Sequence, residues 1–334
     1  MKASIYDVAK KAGVSVVTVS RVINNAPTVR ATSKEKVMKA IKELNYEPNS
    51  AAQSLARGKS KVIGLLIPDL TDPFIMEVVD SVDRELVKKG YFLALSVIGR
   101  NDKDSDNRSN LFFQHERVDG VLLLTPLFEE DYVNHLKSKD IPFVIMDNQL
   151  FPYTVSSIVV DNFKGGYEMT RHLLELGHQK IGCIGGPKDI LSAEHRVNGF
   201  ETALQEVGLE PFVVERGEFD IETGFEVAQG WIENNLLPTA IICGDDHIAF
   251  GVIDALRLSG IEIPGQVSVM GFDDHPFASK LHPRLSTVRQ PAEDMGIEGV
   301  AALFDQMDGK KQVNKVVKLE PEIIKRATTD IPPK

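Results

Sequence analysis

Ile5-Tyr-Asp-Val-Ala-Lys-Lys-Ala-Gly-Val-Ser-Val-Val-Thr-Val-Ser-Arg-Val-Ile23 is the stretch from which the rest of the chain can be read. Ile5, Val8, Ala9 and Ala12 recur at i, i+3, i+4 and i+7, so they share one helical face, and Ser4 with Asp7 three residues on predicts an N-terminal cap. Gly13 ends that helix. Ser15 caps a second one, in which Val19, Val22 and Ile23 form the inner face and Val16, Val17, Ser20 and Arg21 the outer. Two short helices around a glycine turn make a helix-turn-helix pattern. A third helix follows, with Thr32 and Glu35 as an expected capping box and Val37, Ala40, Ile41 and Leu44 as its apolar stripe.

Charge divides the chain in the same place. Through Lys61 there are 12 Lys and Arg against 4 Asp and Glu, a balance of +8; the remainder stands at −18 and the whole at −10. A basic head on an acidic body indicates which end meets nucleic acid.

The residues Ile5-Tyr-Asp-Val-Ala, Gly13-Val-Ser, Thr18-Val-Ser-Arg-Val-Ile-Asn24 and Tyr46-Glu-Pro-Asn49 closely resemble the head-piece of the LacI/GalR family of bacterial transcription regulators. The resemblance implies a second helix in the major groove, with Val16, Val17 and Arg21 facing base edges. Arg can donate bidentately to guanine and Val can meet a thymine methyl. Thr18 and Ser20 are then expected on phosphates, and Ser4, Tyr6 and Asn24 complete the DNA-binding set in the head. Between Pro48 and Gly58, a helix of about two turns capped by Asn49 is too short to stand alone in water. In the family this hinge folds on operator DNA and wedges a leucine into the minor groove, which implies roles for Asn49, Leu55 and Ala56. Family hinges commonly carry Arg where this chain has Gln53.

From Lys61 on, apolar runs alternate with helical stretches, the signature of parallel α/β units. Strands are expected at 62–67, 92–97, 120–124, 143–146 and 158–160. A second series follows: helix 162–176, strand 181–184, helix 199–207, strand 212–214, helix 223–234, strand 240–243, helix 248–258 and strand 268–270. Helix 295–307 and a strand near Val316 are expected to return to the first layer. The fold class is therefore α/β: a three-helix head (1–48), a hinge helix (49–60) and a body (61–334) of two doubly wound parallel-sheet subdomains. The first takes in about 61–161 plus 291–320 and the second about 162–290. The likeness to this family, and through it to periplasmic sugar-binding proteins, extends over the body in Gly64-Leu-Leu-Ile-Pro-Asp-Leu-Thr-Asp-Pro-Phe74, Val118-Asp-Gly-Val121, Gly177-His178, Arg196-Val-Asn-Gly-Phe200, Pro264, Gly271-Phe-Asp-Asp274 and Gln290-Pro291.

Two such subdomains enclose a cleft at the carboxyl ends of their strands. Asp72, Phe74, Asp147, Ser192, Arg196, Phe219, Asp245, Asp273 and Gln290 follow strand ends and match effector-lining positions of the family or of ribose-type binding proteins. Carboxylates and an Arg can bond vicinal hydroxyls while Phe74 and Phe219 cover apolar sugar faces. Four Asp against one Arg predict a neutral ligand, a small sugar rather than a phosphate or a purine.

No metal is expected, since His178, His247 and His282 lack ligand spacing, and they are assigned to loops or the surface. Cys183 and Cys243 lie in apolar runs as inert core thiols. No phosphate-binding loop, nucleophile elbow or cofactor motif is present, so the chain is not expected to be an enzyme. Without a signal-peptide pattern or a membrane-spanning run, it is expected in the cytoplasm. Its last residues, 326–334, carry no leucine heptad, which predicts a homodimer on palindromic double-stranded DNA. Two other readings remain at this point: a catabolite-control regulator whose corepressor is a phosphorylated carrier protein, and a sugar-binding module with a vestigial head.

Overall fold

The computed structural model describes residues 3–24, 28–46, 59–98, 118–124, 129–147, 155–310 and 315–333. They fall into two compact units, one made essentially of the first 61 residues and the other of the remainder.

In the head, helix α1 (Ile5–Ala12) opens with a reciprocal cap: the Ser4 amide donates to Asp7 Oδ2 at 2.8 Å and the Asp7 amide to Ser4 Oγ at 3.3 Å. Gly13, at φ 67°, turns the chain out of the helix. Helix α2 (Val16–Ile23) is capped by Ser15, whose Oγ accepts from the Thr18 amide at 3.2 Å. Helix α3 (Ala31–Leu44) departs from expectation: Arg30 occupies the cap position with no side-chain bond, and Thr32 lies inside the helix. Its start therefore rests on packing rather than on a cap, through Val37 and Ala40 against Val8, Ala9, Ala12, Val19 and Val22.

The body holds two parallel sheets. The first contains β1 (Val62–Ile67), β2 (Phe92–Val97), β3 (Gly120–Leu123), β4 (Phe143–Met146), β5 (Ser157–Val160) and, last in sequence, β11 (Val316–Leu319), in the order β11-β5-β4-β3-β1-β2. Helices α4 (Pro73–Lys88), α5 (Glu129–Ser138) and α10 (Ala292–Met307) belong to this layer. The second sheet runs β7-β6-β8-β9, from β6 (Ile181–Gly185), β7 (Val213–Arg216), β8 (Ala240–Cys243) and β9 (Ser268–Met270). Around it stand α6 (Asn162–Glu175), α7 (Leu191–Glu206), α8 (Ile221–Glu233) and α9 (Asp246–Leu258). Strands buried on both faces, such as β3, β4 and β8, are uninterrupted apolar runs, as a helix-covered parallel sheet requires.

Three differences from the sequence reading bear on the site. Helix α7 begins at Leu191, eight residues before its expected start, which carries Ser192 and Arg196 onto a helix. Helix α9 begins at Asp246, which makes Asp245 its cap and puts His247 in its first turn. A short antiparallel pair, β10 (Thr287–Arg289) with β12 (Glu322–Ile324), was not anticipated. It lies beside two of the three places, near Asp161, Gln290 and Glu320, where the chain crosses between layers. After β12 the chain stays with the second layer: the Val269 amide donates to the Thr328 carbonyl at 2.8 Å.

Candidate functional site

On the head, the outer side of α2 presents Val17, 60% exposed, and Arg21, also exposed, with Tyr6 of α1 exposed to 71%. Val16, expected on that outer face, is instead partly packed against the head core, so its contact surface is reduced. Thr18 Oγ1 lies 2.9 Å from Ser15 Oγ, Ser20 Oγ accepts from Asn24 Nδ2 at 3.4 Å, and Asn24 caps the end of α2. The Ser4 hydroxyl is committed to Asp7 at 2.7 Å. Asn49, Leu55 and Ala56, with Gln53, lie outside the described residues.

In the body, the carboxyl ends of both sheets face a cavity of 560 Å³, a size common for small-molecule sites. All nine residues singled out from the sequence line it: Asp72, Phe74 and Asp147 from the first layer, Ser192, Arg196, Phe219, Asp245 and Asp273 from the second, and Gln290 at a crossover. Arg196 is its organising side chain, only 8% exposed. Its Nε donates to Asn162 Oδ1 at 2.8 Å and its Nη1 to the Gly244 carbonyl at 2.7 Å. Its guanidinium lies over the Phe272 ring at 3.7 Å, and Asp273 Oδ1 stands 3.6 Å from Nη1. Such a clamp fixes the planar fork and aims its remaining edge.

Asp273 in turn accepts from Gln290 Nε2 at 2.7 Å, which links the second layer to the crossover. Its backbone is held at φ 108° and that of Asp147 at φ 52°, left-handed conformations for non-glycine residues at the wall of one cavity. Burial pushes the Asp273 carboxyl up to about 7 against the pull of Arg196, and Asp245 and Asp72 push the same way. Asp72 is also raised, chiefly by burial, although it caps α4 by accepting from the Phe74 amide at 2.8 Å. Several carboxylates crowded into one desolvated cavity cannot all stay ionised.

Sequence reasoning missed Asp69, Glu218, Asp220 and His247, which also line the cavity. Asp220 caps α8, its Oδ1 accepting from the Thr223 amide at 2.7 Å, so three helix starts, α4, α8 and α9, end on carboxylates at this cavity. Expected starts at 223 for α8 and 248 for α9, two residues late in each case, concealed Asp220 and His247. Of the histidines, His247 departs from its assignment to a loop or the surface, and His178 lies in a loop as expected but is not at the surface. His247 is in the cavity wall, and His178 is 1% exposed rather than superficial. His178 Nε2 donates to the Asp330 carbonyl at 2.9 Å, and burial lowers its proton affinity, so the ring works as a neutral tie between the second sheet and the C-terminal segment. The two thiols are buried, and burial pushes that of Cys183 up to about 12, which leaves it unreactive. Among the described residues no cluster of metal-ligating side chains occurs, and no helix is long and apolar enough to cross a membrane.

Comparison with known proteins addresses both units. Residues 4–49 match the model for bacterial regulatory proteins of the lacI family, and residues 170–329 match a periplasmic binding protein-like domain. The chain is 34% identical to the HTH-type transcriptional regulator DegA of Bacillus subtilis (strain 168), over 98% of each chain. It is 36% identical to the HTH-type transcriptional repressor PurR of Vibrio atlanticus (strain LGP32), again over 98% of each. Among solved structures, the Lac repressor dimer bound to operator and the anti-inducer ONPF superposes with a TM-score of 0.90 at 29% identity, over 99% of this chain and 100% of that one. The complex of the transcriptional regulator CelR with cellobiose gives 0.75 at 29% identity, over 98% and 100%.

Proposed function

Because the chain belongs to the LacI family of bacterial regulatory proteins, and so is a DNA-binding transcriptional regulator and not an enzyme, we propose that it represses a carbohydrate-utilisation operon under control of a neutral sugar. The observation that carries the ligand class is the composition of the cavity wall. Asp69, Asp72, Asp147, Glu218, Asp220, Asp245 and Asp273 face it with one Arg, whose guanidinium is already bonded to Asn162 and the Gly244 carbonyl and stands 3.6 Å from Asp273. An anionic ligand would meet net repulsion there, whereas hydroxyls can donate to carboxylates and accept from Arg196. Phe74 and Phe219 supply apolar surface for the faces of a sugar ring. The relative solved with cellobiose supports the same class.

The mechanism proposed is a cytoplasmic homodimer that holds two heads on the half-sites of a palindromic operator. In each head Arg21 and Val17 read base edges, while Thr18, Ser20, Asn24, Ser4 and Tyr6 hold the backbone. Asn49, Leu55 and Ala56 of a hinge helix enter the minor groove. Sugar in the cleft shifts one layer of the body against the other about the three crossovers, and the altered spacing changes how the paired hinges dock.

Fluorescence anisotropy on a labelled palindrome from upstream of the gene's own operon, at fixed salt, tests this with a panel of neutral mono- and disaccharides. A sugar that weakens or tightens binding supports the reading. A purine is the second reading, favoured by the PurR relatives and by the same aromatic pair, and purine bases belong in the panel. Specific binding that no member alters would sink both and point to a protein corepressor such as a phosphorylated carrier.

A further inference from the structure

His247 lines both the cavity and a smaller side pocket that shares part of its wall. Its Nδ1 is 3.2 Å from Asp245 Oδ2, while Asp245 Oδ1 accepts from the Ile248 amide at 2.8 Å as the cap of α9. Both oxygens of that carboxylate are therefore engaged within α9, and Asp245 itself is only 3% exposed. The His247 ring is also held edge-on by Phe250 and His275, with centroids at 6.2 and 5.1 Å. No protein partner is found for its Nε2 among the described residues, and the side chain is 38% exposed.

We infer that His247 is a specificity-determining ligand contact of the cleft, presenting Nε2 to a ligand hydroxyl, and that Asp245 is a positioning residue acting through it. The inference rests on the cleft being the ligand site and deepens that reading. With Nδ1–H donating to Asp245, the neutral ring offers a lone pair at Nε2, and the protonated ring offers an N–H there. A hydroxyl suits both states, because it donates to the first and accepts from the second. A carbonyl or an unprotonated ring nitrogen of a purine, which only accepts, is satisfied by the protonated state alone.

The carboxylates facing the ring favour its charge, and the neighbouring His275 imidazole opposes it. Asp72 lines the same pocket from the start of α4, Asp245 and Asp246 belong to its own helix start, and Asp273 and His275 come from the loop after β9. Glu77 and Asp274 lie farther along the side pocket. The Asp245 bond raises the proton affinity of His247 most, burial opposes it, and Asp273 and Asp72 add to the rise.

The test is a long-range proton–nitrogen NMR titration of the full chain labelled at histidine, run free and with the panel of neutral sugars and purine bases. In the free protein the neutral ring is expected to carry its proton on Nδ1, with a midpoint above about 6.5. A sugar that binds should move the Nε2 resonance. His247→Asn keeps an amide near the Nδ1 position and removes the Nε2 contact, so its affinity should fall about tenfold or more. His247→Gln restores a polar atom near Nε2 and should recover most of that loss. Asp245→Asn, itself a competent cap, should lower the titration midpoint of His247. A neutral ring protonated on Nε2, or His247→Asn binding as tightly as the parent chain, overturns the inference. Failure of every sugar to bind the parent chain instead removes the sugar reading, with purine bases left as the probes of His247.

Discussion

Residues in both units take their roles from what holds them as much as from what they are. Arg21 is exposed on a helix whose inner face is locked by Val19 and Val22, so its guanidinium is presented from a rigid base. Arg21→Ala should weaken binding to the specific palindrome by about 1–3 kcal/mol while leaving salt-dependent binding to random duplex largely intact; electrophoretic shifts on the two duplexes measure both. Equal loss on both would reduce Arg21 to a phosphate contact. At the cavity, nine residues were legible from the sequence because strand ends and motif neighbours mark them. His247 was not, since a lone histidine advertises no partner and its meaning depends on Asp245 serving as a helix cap. The Asp-Asp-His run directly after an apolar strand was the available signal.

Elements were legible where periodicity is strong. Val62–Ile67, Phe143–Met146, Ala240–Cys243 and Ser268–Met270 are strands as expected, because buried parallel strands carry continuous apolar runs, and the exposed edge strand Phe92–Val97 was legible from its apolar run as well. The start of α7 was not, since Leu191 to Asn198 mixes Ser, Glu, His and Arg into a face that serves the cavity rather than the core. Nor were β10 and β12, three residues each and recognisable only by their pairing. Helices α6 and α7 touch backbone to backbone: a Cβ on Gly166 would land on the Arg196 carbonyl, and one on Gly199 on the Phe163 carbonyl. Gly166→Ala should therefore lower stability by about 1–3 kcal/mol through overpacking, and the displaced α7 should carry Arg196 out of place. Denaturant unfolding and ligand affinity are expected to fall together. Ser4→Ala, which removes the cap of α1, should cost the head about 1 kcal/mol without touching ligand affinity.

For the whole molecule, the acidic cavity trades stability for binding. Asp273 is held up to about 7, well above an unfolded carboxylate near 3.9, so the folded state keeps a proton that the unfolded state releases. Its favourable share is complete below the unfolded value and is lost as pH rises toward 7; Asp72 and Asp246 act in the same direction. Asp273→Asn cannot titrate, so relative to the parent its unfolding midpoint should rise between pH 4 and pH 8, while its response to ligand is lost. A gap that does not change with pH would show that Asp273 is ordinarily ionised. Histidines kept neutral by burial, His172 and His178, work oppositely: their stabilisation is present above about 6.5 and fades as the solution turns acidic.

Control of DNA binding from a cavity requires that ligand and operator bind with unequal preference for the same two states of the body, and linkage makes that preference reciprocal. Calorimetric titration of the sugar identified by anisotropy, once into free protein and once into protein saturated with operator, measures it directly. Control from the cleft requires two affinities whose ratio equals the factor by which the sugar changes operator affinity. Identical affinities would mean that sugar binding and operator binding are uncoupled in the protein, and would contradict control from this cleft.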